Sequence, residues 1–151
     1  MKTLLQRVSR ASVSTQGTIA GEIGPGLLAL VSFGRSDTEE DLEWMSRKIT
    51  GLRIFPDLND NMNLSLSDIA GDILIVSQFT LHADSRKGRR PSFMNAALPE
   101  NAELLYNLFL EMVSHSGLKV RSGVFGAMMK IDLVNDGPVT IMIDSPSERI
   151  C

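Results

Sequence analysis

The chain has one cysteine, Cys151, at its last position. No disulfide can form within it, and it holds no CxxC metal or redox site. Two histidines, His82 and His115, are too few for most zinc sites, and no metal or other cofactor is expected. No apolar run approaches the ~20 residues of a membrane span. Residues 1–5 begin like a signal peptide, but Gln6, Arg7, Ser9 and Arg10 break the pattern before an apolar core develops. A cytoplasmic location is therefore expected. The familiar catalytic signatures are missing too: GxGxxG after a strand, GxxxxGK(S/T), HExxH and GxSxG. There is no basic excess, since 15 Lys+Arg face 18 Asp+Glu for a net charge of -3. Taken as an average, that balance argues against a nucleic-acid partner.

What is present is a chain of 151 residues, 43% of them hydrophobic, enough for one domain with an ordinary core. Residues 145–151 form a short tail. Strand patterns cover residues 3–9, 12–16, 18–23, 27–33, 73–81, 119–124, 130–134 and 139–143. Gly17 and Gly24-Pro25-Gly26 mark turns between the first of them. Residues 27–33 form a near-continuous apolar run, as expected of a strand covered on both faces. Two segments have helix periodicity. In the first, Asp37 is the predicted N-cap, with Glu40 completing a capping box. Leu42, Met45, Ile49 and Leu52 then mark one face. The second starts with Pro99 at about N1, carries Leu104, Leu105, Leu108, Phe109, Met112 and Val113, and has Gly117 as the predicted C′ residue. Many strands around two amphipathic helices predict an α+β fold.

Two polar insertions interrupt apolar surroundings. Ser77-Gln78-Phe79-Thr80-Leu81 follows Ile73-Leu74-Ile75-Val76 directly. A strand that abruptly carries Ser, Gln and Thr must satisfy them somewhere. Continued as a strand, the segment puts Gln78, Thr80 and His82 on one face. Thr80 or Ser77 could then be a nucleophile with His82 as base. Alternatively, the hydroxyls serve the backbone at a strand end. The second insertion, Asn135-Asp136-Gly137-Pro138-Val139-Thr140, lies between two strand patterns. Asn-Asp-Gly is turn chemistry, and Pro138 removes a ladder donor, so the local reading is a hairpin turn.

A third feature is electrostatic. Arg86-Lys87-Gly88-Arg89-Arg90 puts four cations in five residues, followed by Pro91, Ser92 and Phe93. Like charges this dense repel, and either a solvated loop or a phosphate-contacting loop accounts for them.

At these residues the chain resembles a known family. Ser77–Leu81 and Asn135–Thr140 look like the two signature motifs of the D-aminoacyl-tRNA deacylases. Gln6-Arg7-Val8-Ser9-Arg10-Ala11, Gly21-Glu22-Ile23-Gly24-Pro25-Gly26-Leu27, Met62-Asn63-Leu64-Ser65, residues 86–93 and Gly123-Val124-Phe125-Gly126-Ala127-Met128-Met129 agree in order. The pair of motifs at this spacing is specific, whereas each alone is weak. The resemblance implies a β-rich domain with barrel-like packed sheets flanked by two main helices. It implies a homodimeric hydrolase that cuts the ester between a D-amino acid and the terminal ribose of tRNA, with mischarged glycyl-tRNA as a further substrate. A tRNA and a second copy of the chain are the implied partners, with neither DNA nor membrane.

The same resemblance assigns roles. Gly137 and Pro138, joined by a cis bond, would enter the partner's site and leave no room for an L side chain. Arg7, Val139 and Thr140 would support them. Ser77, Gln78, Phe79 and Thr80 would meet the ester and the terminal adenosine, largely through main chain. Phe125 and Met129 would line the adenosine pocket, and Arg86, Lys87, Arg89 and Arg90 would contact tRNA. Catalysis would rest on the tRNA terminal 2′-hydroxyl and oriented main-chain groups. Two other readings are a non-catalytic RNA-binding module and a small-ester hydrolase using Thr80. Residues 85–93 carry +4, leaving -7 for the rest, so the modest net charge conceals a separation that suits brief contact with an acceptor end.

Overall fold

A computed structural model describes residues 1–146. Of the tail, residues 147–151, including Cys151, lie outside the described residues. The order is β1 (Lys2–Thr15), β2 (Thr18–Ile23), β3 (Gly26–Ser32), α1 (Glu39–Gly51), β4 (Phe55–Pro56), β5 (Met62–Leu64), β6 (Asp72–Ser77), a 3-10 turn (Phe79–His82), α2 (Pro99–Ser114), β7 (Val120–Ser122) and β8 (Lys130–Asp144).

The predicted strands at 3–9 and 12–16 are one strand, β1, and three others pair with it. Its first half pairs with β3 and its second half with β2, while β8 runs antiparallel along nearly its whole length. From β3 the sheet continues through β6 to β7, all three parallel. The sheet curls until β2 approaches β7. A Cβ at Gly21 would lie 2.9 Å from the Ser122 carbonyl oxygen, so only glycine allows that approach. The result is the α+β, barrel-like arrangement with two helices implied by the resemblance.

Alternation along β3 and β6 divides the core in two. Leu27, Ala29, Val31, Ile73 and Ile75 pack under the helices against Leu42, Met45, Ile49, Tyr106, Phe109 and Val113. Leu28, Leu74 and Val76 point inward with Val8, Val13 and Ile23. This explains the uninterrupted apolar run of β3.

Several boundaries differ from the sequence reading. The N-cap of α1 is Thr38, and the N3 residue completing its box is Asp41, not Glu40. Asp37 is occupied elsewhere, accepting from the Gly34 N–H at 2.6 Å. In α2, Pro99 does open the helix, but the C-cap is His115, which puts Gly117 one position beyond C′. Leu104, predicted on its apolar face, is 69% exposed.

Candidate active site

The parallel strands β3, β6 and β7 end in Ser32, Ser77 and Ser122 on the same side of the sheet. There β6 stops pairing as a strand. The Gln78 N–H makes a last bond to the Val31 carbonyl at 2.7 Å, and the chain tightens into the 3-10 turn Phe79–His82. This corrects the strand reading of residues 73–81. The two-residue alternation that put Gln78, Thr80 and His82 on one face does not hold in a helical turn. Thr80 is exposed, and its Oγ1 accepts from the Gln78 side-chain amide. His82 is buried, with Nδ1 2.5 Å from the Ser32 Oγ. Burial holds its imidazole below the usual histidine value. Thr80 and His82 therefore form no nucleophile–base pair.

The turn offers main chain instead. The first N–H groups of a helical turn lack partners within it. Among the described residues, those of Phe79 and Thr80 have no hydrogen-bond acceptor. Beside them the Phe79 ring, 57% exposed, meets the Phe93 ring edge-on at 5.1 Å between centroids.

Phe93 closes the basic loop. Asp84 and Ser92 exchange N–H···O bonds of 2.8 and 2.9 Å, pinching off residues 84–92 beside the 3-10 turn. Arg86 folds back on Asp84 in a two-pronged pair of 2.9 and 2.6 Å. That guanidinium and the Arg86 N–H lower the Asp84 carboxyl to about 2. Lys87, Arg89 and Arg90 are exposed and make no ion pair among the described residues. The sequence reading counted four available cations. It missed the acid one residue before the window that contains them.

The loop after β7 borders the same strand ends. Gly123 N–H donates to the Ile75 carbonyl at 3.0 Å. Phe125 and Met129, both half-buried, diverge from there. Phe125 packs 5.7 Å from the Tyr106 ring on the helix side. Met129 packs with Val76 and the inner core. Met128, between them in sequence, is 91% exposed.

The Asn135–Thr140 motif is not a hairpin turn. β8 runs on in one direction, and residues 136–139 stand opposite the single residue Arg7 as a wide bulge. Asn135, Asp136, Val139 and Thr140 take part in holding it. Asn135 Nδ2 donates to Thr140 Oγ1 at 2.9 Å, and its Oδ1 accepts from the Val139 N–H at 3.3 Å. The Arg7 guanidinium donates to the Asp136 carbonyl at 3.1 Å and the Ile54 carbonyl at 2.7 Å. Val139 is buried beneath, while Gly137 and Pro138 are exposed on the bulge. Gly137 has φ +121°, and a Cβ there would lie 2.7 Å from Arg7 Nη2. The Gly137–Pro138 peptide is cis.

Within one chain the two motifs do not meet. Ser77 is level with Val31, Thr3 and Ile143, whereas the bulge is level with Arg7. Three strand spacings and four residues of rise separate them, on the order of 15–20 Å in a curved sheet. A cleft of about 360 Å³ between Gly34, Arg35 and the start of α2 contains none of the motif residues.

Comparison with known proteins gives the setting for this geometry. A family model described as D-Tyr-tRNA(Tyr) deacylase matches residues 4–144. A D-aminoacyl-tRNA deacylase from Bacillus velezensis is 53% identical over 96% of this chain and 99% of its own. A solved structure described as a c-Myc DNA unwinding element binding protein superposes with TM-score 0.92 at 42% identity, covering 97% of this chain and 100% of that one. Another, described as a probable eukaryotic D-amino acid tRNA deacylase, has TM-score 0.85 at 20% identity over 94% and 97% of the two chains, which speaks for the fold alone. The protein is thus a hydrolase acting on ester bonds, with D-aminoacyl-tRNA as the substrate class. The chain belongs to the D-Tyr-tRNA(Tyr) deacylase family.

Proposed function

We propose that the chain cleaves D-aminoacyl esters at the carboxyl ends of β3, β6 and β7, using main-chain N–H groups of the 3-10 turn and the 2′-hydroxyl of the substrate's own ribose. One observation carries this reading. The hydroxyl and the imidazole at the motif are each occupied by another partner, whereas the Phe79 and Thr80 N–H groups are unpaired among the described residues. Such fixed dipoles stabilise a developing oxyanion. A side chain acting as base is then unnecessary if the ribose supplies the oxygen that assists attack.

Chirality is selected by Gly137 and Pro138 of a second copy, with Arg7, Val139 and Thr140 holding the bulge. The separation of the two motifs within one chain and the exposure of both support this cross-subunit arrangement. A main-chain wall suits the task. It rejects one enantiomer whatever the side chain, and a glycine lets main chain come close to the ligand. Mischarged glycyl-tRNA, with no side chain, passes the same filter. Phe125 and Met129 flank the terminal adenosine, and Lys87, Arg89 and Arg90 meet phosphates, with Arg86 ordering their loop. The activity is proofreading in translation, carried out by a homodimer in the cytoplasm.

Matched D- and L-tyrosyl-tRNA provide the test. Rapid loss of the D-ester alone is expected. Loss of neither, or equal loss of both, overturns the reading.

A further inference from the structure

The 3-10 turn is tied to β3 by a side-chain pair that none of the roles above uses. Ser32 Oγ lies 2.5 Å from His82 Nδ1 and 3.3 Å from the Phe79 carbonyl oxygen. A hydroxyl has one proton to give. With the proton of the neutral imidazole on Nδ1, His82 donates to Ser32, and Ser32 donates to the Phe79 carbonyl. That carbonyl belongs to the same peptide unit as the Thr80 N–H. The unit is trans, so its C=O and N–H point in opposite directions. Holding the oxygen inward on Ser32 turns the Thr80 N–H outward, to where an ester would lie.

We propose that His82 and Ser32 are positioning residues that aim the Thr80 N–H at the substrate ester. This rests on the deacylase reading with main-chain donors and adds two side chains that set their direction. Ser32 and His82 are both buried, so neither touches substrate. Each acts through the peptide unit between Phe79 and Thr80.

The imidazole is placed to stay neutral. Burial pushes its pKa down, and the Met1 amine and Lys2 on β1 reinforce that. Asp37, after β3, and Asp144, on β8, oppose it. Ser32 is the neighbour on β3. Protonation leaves the Nδ1–H on Ser32 but puts a charge at this buried site, and that charge strains the packing that holds the turn.

The experiment compares wild type with His82→Ala, His82→Asn, Ser32→Ala and the Ser32→Ala/His82→Ala double variant, all on D-tyrosyl-tRNA in single turnover and at steady state. Melting curves identify any variant that fails to fold. Asparagine keeps a donor near the Nδ1 position and does not titrate. The expected result is a fall in kcat of about 10- to 100-fold for either alanine variant with KM unchanged. The double variant should lose no more than either single one, because the pair acts as a unit. His82→Asn should recover most of kcat and flatten the acid limb of the pH profile. Nitrogen NMR of the wild-type imidazole, which needs no activity, should show the proton on Nδ1. Wild-type kcat in both alanine variants, a loss carried by KM, or a proton fixed on Nε2 at neutral pH overturns the proposal while leaving the deacylase reading intact. Absence of wild-type D-ester hydrolysis removes both.

Discussion

The Arg86 guanidinium grips the Asp84 carboxylate with two bonds, 2.9 and 2.6 Å, and so withdraws one cation from the basic loop beside the 3-10 turn. The run of four cations therefore divides into one that shapes the loop and three that face solvent. The pair is exposed and adds little stability by itself, so its effect is on geometry and on the count of free charges.

Salt dependence of tRNA binding reads that division. Removing Lys87, Arg89 or Arg90 singly should lower the slope of log affinity against log salt by about 0.7–0.9 each. Arg86→Ala should change the slope less, because its guanidinium is held by Asp84 and so contacts no phosphate. Filter binding between about 50 and 200 mM salt checks this. Equal slopes for all four variants would show that the ion pair opens in solution.

Thr80→Ala should keep activity within about tenfold of wild type, since among the described residues its hydroxyl bonds only the Gln78 amide, while its N–H survives the substitution. Replacing the terminal ribose 2′-hydroxyl by hydrogen should cost far more. Single-turnover rates on the two tRNAs decide the matter. A Thr80→Ala rate at the uncatalysed level would refute main-chain chemistry.

Arg7→Ala removes the donor shared by the Asp136 and Ile54 carbonyls. The bulge loses its clamp, and a charge-assisted bond to a half-buried carbonyl is worth about 1.5–3 kcal/mol. A lower melting temperature is expected together with a reduced D/L rate ratio. Retention of the full ratio would mean that Asn135 and Thr140 hold the bulge unaided.

Tyr106→Phe should be mild. The Tyr106 hydroxyl donates to the Ile75 carbonyl at 2.9 Å, but that oxygen also accepts from the Gly123 N–H at 3.0 Å. The loss leaves no orphaned acceptor, and about 1 kcal/mol is expected in urea unfolding. Burial raises the phenol to about 12, so the effect should not vary across neutral pH.

Stability should fall in acid in two stages. The folded His82 binds its proton at lower pH than the unfolded chain does. Between the unfolded value near 6.5 and the lower folded value, the unfolded state therefore holds more protons, and stability drops as pH falls. Asp84, lowered from 3.8 to about 2, adds only a small contribution above 3.8, since its pair with Arg86 is exposed, and loses it on the way down to 2. Urea unfolding of wild type and His82→Asn at several pH values separates the stages. The first should vanish in the variant.

Much of this was legible in the order of residues. Period-2 and helical patterns located the strands of the main sheet and both helices, though not the short pair β4 and β5, and the runs in β3 and β6 announced strands covered on two sides. What was not legible depended on partners distant in the chain. Ser77–Leu81 continues an apolar strand by composition, and only the Gln78 bond to Val31 and the 3-10 bonding that follows turn it. Asn-Asp-Gly-Pro reads as a reversal, but pairing of β8 with β1 on both sides of it converts the reversal into a bulge. Asp37 looked like a cap until the Gly34 N–H claimed it. Ser32 and His82 are fifty residues apart, and the parallel neighbours β3 and β6 bring them together.

The pairing of β1 with β8 has a consequence for synthesis. β1 finds its longest partner more than a hundred residues later in the chain. While the ribosome works through the helices, one edge of β1 stays open, offering bare N–H and C=O groups to any passing strand. Native closure is a late, long-range event, slow by its topology. A protein with this architecture is most exposed to misassembly before residues 130–144 emerge, and dependent in that interval on chaperones or on low local concentration.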